Sequence, residues 1–591
     1  MADHIESDSS LIRKLFFKLL PIQILLLAIG AINGIVSGLF ATNMVGSEAM
    51  SAVGLFGPIN MFISAVISMI VGGAQVLCGK YMGKNQVEKT KSYFNLSIVL
   101  AVILGGIFAA VIVLMGIFGL TGFFTKDEVV SGHLKSYLIG QGAGIVPLYL
   151  GQLMAAFLSL ERQSKRTVIA AVSFIITNLM SNVVFVYWLK LEALGLALAS
   201  SVGLWVFFLV QVPYYFTGRS LMKFSFRNIC WRDAIEIIKI GTPGAASNGY
   251  QSIRGFIVNK LIETHVGSAG LSAFSTANTM LALFWAIPCG VVAVARMLMS
   301  ISQGEEDRKT LKDIMKIGLG RCMIGMTVIT GILILLAPVF TRMYYQDASS
   351  DVYLMTLSGF RLLPVCMVLA LGAMMFVSNA QIFERQLFLH VNSVFDGVIF
   401  VAGFSALLVP MVGMNGVYYA NILNGVCLFF IIFIFSIIYM KRFPRRLDDI
   451  MMIPDDFGVT DDQRLDISIR SIEDVVNISQ TIQSFCLERG IDSKRSYLAA
   501  LSMEEMAGNV VEHGFAMDNK SHSVDVRVVH KGDNVILRIK DDCAKFNPEE
   551  RQKIVDPDHK WKNIGIRTVY GLAHDIKYQN IMGLNVLTIK F

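Results

Sequence analysis

Between Leu19 and Met440 the chain alternates long apolar runs with short polar ones, and the runs have the length of membrane-crossing helices. The expected spans are 19–41, 52–78, 93–120, 135–158, 167–187, 194–216, 234–262, 271–295, 315–340, 353–379, 387–409 and 415–440. Each is near or above the roughly 20 residues a helix needs to cross about 30 Å of hydrocarbon. The seventh is the least regular, because Arg254, Lys260 and the kink Gly241-Thr-Pro-Gly244 fall inside it. After Met440 the pattern changes. Lys441-Arg-Phe-Pro-Arg-Arg reads as a stop at the membrane surface, and the acidic stretch 447–466 as a flexible connector. From about 467 helical periodicity (471–489, 493–513, near 564–573) mixes with strand-like alternation in Val524–Val529, Val535–Lys540 and Asn585–Lys590.

The architecture expected is therefore an all-α polytopic membrane protein of twelve transmembrane helices, carrying a small C-terminal α/β domain. Its parts are a cytoplasmic N-terminus (1–18), a first six-helix half (19–218), a cytoplasmic inter-half loop (219–233), a second half (234–440), a linker (441–466) and the soluble domain (467–591). Composition agrees: 54% of residues are hydrophobic and 16% charged, too apolar for an ordinary soluble chain. The net charge of +7 reflects basic loops rather than nucleic-acid binding. Those loops alternate. Lys80, Lys84, Lys89 and Lys91, then Arg162, Lys165 and Arg166, then Arg219, Lys223, Arg227 and Arg232, then Arg296, Arg308, Lys309, Lys312 and Lys316, then Arg385, and last Lys441, Arg442, Arg445 and Arg446 lie on one side. The opposite loops hold little beyond Lys126, Lys190 and Arg342. Both termini are thus expected in the cytoplasm, in a bacterial cytoplasmic membrane. Eight scattered cysteines form no metal-binding spacing.

The chain repeats itself. Val45-Gly-Ser-Glu-Ala-Met-Ser-Ala aligns with Val266-Gly-Ser-Ala-Gly-Leu-Ser-Ala, and the Gly83 loop with the Gly304 loop, both at an offset of 221. Leu160-Glu-Arg-Gln aligns with Phe383-Glu-Arg-Gln at 223. An even number of spans per repeat makes the halves parallel, related by an axis along the membrane normal, and such two-lobed bundles suit alternating access.

Ionisable groups at membrane depth are costly and are functional candidates by default. Asp396 is the clearest acid; it is either a coupling carboxylate or a paired structural one. Arg254 and Arg361 are interior bases that could meet an anionic substrate group, pair with Asp396 or cap a broken helix. Asn33, Gln251, Asn60, Gln75, Gln141, Asn178, Asn182 and Asn248 are polar helix residues able to line a cavity or to bond between helices. Glu161 and Glu384 sit at matching helix ends beside Arg162 and Arg385, as structural ion pairs or as a gate between the halves.

Residues 12–440 resemble the MATE (multidrug and toxic-compound extrusion) family, within the larger group that includes lipid-linked oligosaccharide flippases. The likeness rests on Pro21 and Pro243, Val45-Gly46 and Val266-Gly267, the Gly83 and Gly304 loops, and Gly195-Leu-Ala-Leu-Ala-Ser. It implies antiporter-type efflux of small organic or amphiphilic molecules, driven by H+ or Na+. The chain departs from the pattern in having no carboxylate in its first span, while the seventh offers only Glu236 and Glu263 near its ends. A moved coupling site, a different ion stoichiometry or an anionic substrate would each account for this.

The tail resembles the GHKL ATP-binding fold of anti-sigma-factor serine kinases, through Met503-Glu-Glu-Met-Ala-Gly-Asn-Val-Val-Glu-His-Gly. By that likeness Glu505 would be a general base, Asn509 a Mg ligand, Asp541 the partner of the adenine amino group and Gly565 part of the phosphate cradle. The glycine boxes are altered, reading Asp541-Asp-Cys-Ala-Lys-Phe and Asn563-Ile-Gly-Ile, and side chains there obstruct close approach of a nucleotide. The readings that follow are a transporter with an ATP-binding-like regulatory domain, a membrane-tethered serine kinase or partner switch, and a lipid-linked substrate flippase. The implied partners are lipids, a small-molecule substrate and a cytoplasmic protein bound by the tail.

Overall fold

A computed structural model describes residues 10–591 apart from 41–43, 46, 85, 120, 122–127, 162, 218–219, 221, 223, 226–228, 470, 516–521, 545–546, 549–563 and 582–583. Arg162, Arg219, Lys223, Arg227, Lys545 and Asn563 therefore lie outside the described residues.

Each expected span is a helix, generally longer than its apolar run. The first half comprises α1 (Ser10–Phe40), α2 (Ser47–Gly83), α3 (Val87–Ile117), α4 (Glu128–Leu160), α5 (Ser164–Asn182, continued through Val183–Trp188) and α6 (Glu192–Gln211). The second comprises α7 (Asp233–His265), α8 (Ser268–Gly304), α9 (Arg308–Ile317, Gly318–Cys322 and Met323–Tyr344), α10 (Asp351–Ile382), α11 (Gln386–Val394, Phe395–Ile399 and Phe400–Val412) and α12 (Asn415–Met440). Among the described residues, ten of these helices are long and apolar enough to cross a membrane; α1 and α7 are outside that set. The seventh span, with its expected kink at Gly241–Gly244, is assigned as one continuous helix. Gly267 opens α8 with a positive φ of 88°, a conformation only glycine adopts without strain.

The extensions matter most for α8. Its helix runs on to Gly304, so Arg296, expected in a loop, is about two turns inside it. The apolar run ends at Ala295, but Met297, Leu298, Met299 and Ile301 continue the buried face.

The tail is a five-stranded antiparallel sheet in the order β1 (Arg464–Ile469), β2 (Val524–Lys531), β3 (Asn534–Asp541), β5 (Leu584–Lys590), β4 (Asp575–Ile581). Helices α13 (Ile472–Glu488), α14 (Ser493–Asn509) and α15 (Ile564–Leu572) cover one face. Ser471 and Asp474 cap α13 reciprocally, and Asp492 caps α14 by accepting from the Arg495 amide at 3.0 Å. The period-2 alternation of the strands sorts their side chains. Ile467, Val526, Val528, Leu537, Ile539 and Ile589 join the helices in the tail's own core. The opposite face, with Arg464, Asp466, Arg527, Arg538 and Lys540, lies against the ends of α2 and α8. There Leu584 and Val586 join the core of the membrane bundle.

The linker is packed rather than loose. Met451, Met452 and Ile453 are fully buried. Asn379 donates to the Met451 carbonyl at 2.6 Å and Arg385 to that of Met452 at 2.8 Å. Asp449 takes Arg442 at 2.6 Å, and Asp448 takes Arg308 at 2.9 Å. The acidic composition that reads as a flexible connector is instead a set of partners for basic helix ends.

Candidate functional site

Three sets of residues carry the chemistry. The first is the seam where the halves meet at their tail-side ends. A Cβ on Gly73 would lie 2.1 Å from the Ile237 carbonyl oxygen, one on Gly241 1.9 Å from that of Met69, and one on Gly79 2.0 Å from Ser300 Oγ. At the tip Gly83 and Gly304 face each other. Lys80 reaches across to Glu384 at 2.8 Å, and the Tyr93 hydroxyl donates to Glu236. Glu384 thus pairs between halves and not with its neighbour Arg385, which stacks over Tyr439 at 4.7 Å. Its repeat mate Glu161 accepts from the Ser220 hydroxyl and the Met222 amide of the inter-half loop.

The second set lies inside the second half. Asp396 occupies the π-helical turn Phe395–Ile399 of α11, where Gly397 lets the backbone press on Tyr250. Asn424 of α12 donates to Asp396 Oδ1 at 2.9 Å, and Arg254 of α7 donates to the Asp396 carbonyl oxygen at 3.3 Å. Arg254 and Asp396 are thus neighbours, tied through the backbone. Arg361 is exposed on α10 and does not join them. Gln251 is partly buried one turn before Arg254; the side chains of Asn33 and Asn248 lie outside the described residues. Several of the other polar candidates bond within the bundle, Asn178 to Ser200 at 3.3 Å and Gln141 to Tyr137 at 2.9 Å. Arg296 is the residue sequence reasoning missed. Its guanidinium lies near Gly72 and Gln381, and its buried Nε has no hydrogen-bond partner among the described residues. Neither does any described acid form an ion pair with it.

The third set is in the tail. Asp541 ends β3 facing the helices. It accepts from Asn585 Nδ2 at 2.7 Å and from the Cys543 amide at 3.0 Å. Burial pushes its carboxyl above the usual range, against the pull of those two donors. Glu505 and Asn509 lie one turn apart on α14. The Glu505 carboxylate sits against Gly565, where a Cβ would be 1.8 Å from Oε2. It therefore occupies the start of α15, the position a phosphate would take at a helix N-terminus. The Asn509 amide donates back to the Glu505 carbonyl of its own helix. Asp541 is thus a buried acid on the helix-facing side of the sheet, and a carboxylate stands at the start of α15.

Known proteins share these parts. Residues 24–188 match the MatE family model, and residues 470–591 match the model of the histidine kinase-like ATPase domain. A probable multidrug resistance protein NorM of Bacillus licheniformis is 23% identical over 234 residues, which are 36% of this chain and 51% of that protein. The chain thus spans about half the length of that curated relative. Among solved structures, an outward-facing multidrug resistance MATE family transporter superposes with a TM-score of 0.65 at 20% identity, covering 70% of this chain and 93% of the other. A MOP superfamily transporter from Pyrococcus furiosus gives 0.65 at 20%, covering 71% and 94%. At this identity the likeness is one of fold.

Proposed function

With the MATE fold in its membrane part and a histidine kinase-like ATPase domain behind it, we propose that this chain is a secondary active transporter of the antiporter type, moving small organic or amphiphilic molecules across the cytoplasmic membrane under control of its tail. The observation that carries this reading is the seam. Two homologous half-bundles meet at one end through glycines packed backbone to backbone, a contact that is either made or broken. Interfaces of this kind are bistable, and rocking the halves about it exposes a site between them to each side in turn.

Asp396 is the coupling group in this reading. It takes up H+ or Na+ in the second half, with Asn424 holding one oxygen and Arg254 anchoring the turn that carries it. The basic loops and the tail lie on the same side, which supports a cytoplasmic tail. The tail binds a purine nucleotide through Asp541, and Mg2+ through Asn509 once Glu505 has moved. It acts as a sensor without turnover, because the candidate general base is engaged at Gly565. A cytoplasmic protein that docks on the tail is a second input of the same kind.

Arg296 favours an anionic substrate over a cationic one. A guanidinium inside the bundle with no acid paired to it among the described residues suits a carboxylate or phosphate group, including that of a lipid-linked substrate. For the Pyrococcus furiosus relative, a reversed polarity of the binding pocket has been taken to suggest a different function; the absence of carboxylates from the first span points the same way here.

Purified chain in proteoliposomes tests the proposal. A panel of organic cations and organic anions is offered under an imposed H+ or Na+ gradient. Gradient-driven flux of one class, abolished by Asp396→Asn, is the expected result. Flux of neither class under either gradient would sink it.

A further inference from the structure

The tail touches both halves of the bundle at once, and the two attachments differ in kind. To the second half it is fastened by charge. Asp307 caps α9 by accepting from the Thr310 amide at 3.1 Å and also pairs with Arg527 and, at 3.6 Å, with Arg464. Glu305 takes Lys540, and its carbonyl accepts from Arg538 at 3.2 Å. Lys531 reaches Glu306, and Lys309 lies 3.7 Å from Asp466. The side chains of Asp307 and Glu305 are 0% and 2% exposed, so the network is buried at its centre, with the Lys531–Glu306 pair at its rim. The packed linker holds the tail to the same half.

To the first half the tail is fastened lightly. Gln579 Nε2 of β4 donates to the Met82 carbonyl at 2.7 Å, and beside it Leu584 and Val586 of β5 join the apolar core that both halves share. Met82 is the residue before Gly83, so this attachment falls on the seam itself.

We propose that the tail is a clamp on the seam, seated on the second half and latched to the first through Gln579, with Leu584 and Val586 closing the shared apolar core beside that latch. Separating Gly83 from Gly304 carries Met82 one way and Glu305 to Asp307 the other. One rigid sheet cannot follow both. Losing a neutral hydrogen bond and a small apolar patch is far easier than breaking a buried ion network, so the latch on Met82 is the contact that yields. Its input is built in. Asn585, the partner of Asp541, lies on β5 between Leu584 and Val586. A purine nucleotide that takes Asp541 from Asn585 therefore acts on the strand that closes the core beside the latch. The clamp rests on the transporter reading only in treating seam opening as a step of a cycle.

Hydrogen exchange on the full chain in lipid nanodiscs reads the clamp without any transport assay. The double variant Gln579→Ala, Val586→Asp is expected to raise exchange of the seam amides at 79–83 and 300–304 at least tenfold, while β2 and β3 keep their protection. Gln579→Leu, which retains the side chain's bulk, is expected to give about a threefold rise and decides the matter should the double variant unfold the tail. Unchanged seam protection with an intact tail overturns the proposal. Raised exchange in a chain that moves no substrate would remove the transporter reading and leave the clamp standing.

Discussion

Gly83 and Gly304 hold equivalent positions in the two repeats and touch: a Cβ on either would lie 2.9 Å from the Cα of the other. A Cβ on Gly304 would also meet the Lys80 carbonyl oxygen at 2.0 Å, and one on Gly83 that of Ile301 at 2.2 Å. Backbone cannot give way as a flexible side chain would. Gly304→Ala is therefore expected to destabilise the closed seam by at least about 1.4 kcal/mol, a tenfold shift in the balance of states. Labelling of a cysteine placed at Ser300 should rise accordingly, and transport should fall. Labelling equal to that of the unsubstituted background would contradict the tight packing.

The Lys80–Glu384 bridge is partly exposed, at 15% and 35% of the two side chains, so its contribution is modest. Lys80→Met should weaken the closed seam by about 1 kcal/mol or less, and the exchanged pair Lys80→Glu, Glu384→Lys should recover part of that. The same labelling assay measures both. An exchanged pair no better than either single variant would mean the bridge forms no part of the gate.

Arg254→Gln and Asp396→Asn are expected to lower gradient-driven flux by at least tenfold each, for different reasons. The first loosens the π-turn that positions Asp396; the second removes the carboxylate proposed to take up the coupling ion. Exchange of substrate without a gradient should survive in Asp396→Asn and be slowed in Arg254→Gln. Equal loss of exchange in both would make Asp396 structural.

Docking of the tail has a predictable response to pH. Burial alone would raise the Asp307 carboxyl, but Arg527, Lys540 and Arg464 outweigh it and hold it far below the ordinary carboxylate range. Asp466 is lowered likewise, by Arg527 and Arg464 against burial. A depressed folded-state pKa contributes stability that is complete above the unfolded value, near 4, and is lost as the pH falls toward the folded one. Asp525 is shifted upward by burial, so its penalty is relieved in acid and softens the decline. Protection of β2 and β3 should thus be flat from about pH 8 to 5 and fall below about pH 4. Asp307→Asn should weaken docking by about 3 kcal/mol at neutral pH, since it leaves buried guanidiniums short of a partner. A midpoint near pH 6 would point to other groups.

Nucleotide binding separates the tail's two sides. A fluorescent ATP analogue should bind the full chain and lose affinity in Asp541→Asn. Glu505→Gln, which removes the charge at Gly565, should strengthen Mg2+-dependent binding severalfold. Binding weakened by Glu505→Gln would instead mark that carboxylate as part of the site.

The membrane part was legible in the sequence because apolar run length and charge alternation are both imposed by the bilayer. Arg296 was misplaced for the same reason. A basic residue near the end of an apolar run reads as a loop, and only the continued buried face from Met297 to Ile301 shows the helix going on. In the tail β2, β3 and β5 were legible, but β1 and β4 were not. Arg464, Asp466 and Ser468 fill alternate positions of β1 with polar groups whose further partners Asp307, Arg527 and Asp525 lie elsewhere in the chain, so its short run merges with the acidic stretch before it. The pairing of Glu384 with Lys80 and the seat of the tail on α8 depend on contacts 200 or more residues apart. No local pattern encodes those.

The buried linker makes the join between membrane and soluble parts a matter of fixed length. With Met451, Met452 and Ile453 enclosed and Asp448 and Asp449 held by Arg308 and Arg442, a residue added or removed between 447 and 453 would displace buried side chains. One residue of extended chain is about 3.4 Å, enough to carry Arg527 out of reach of Asp307. The two parts are consequently set in register like teeth on a gear, and a tail grafted from another protein would have to match that spacing before its chemistry counted for anything.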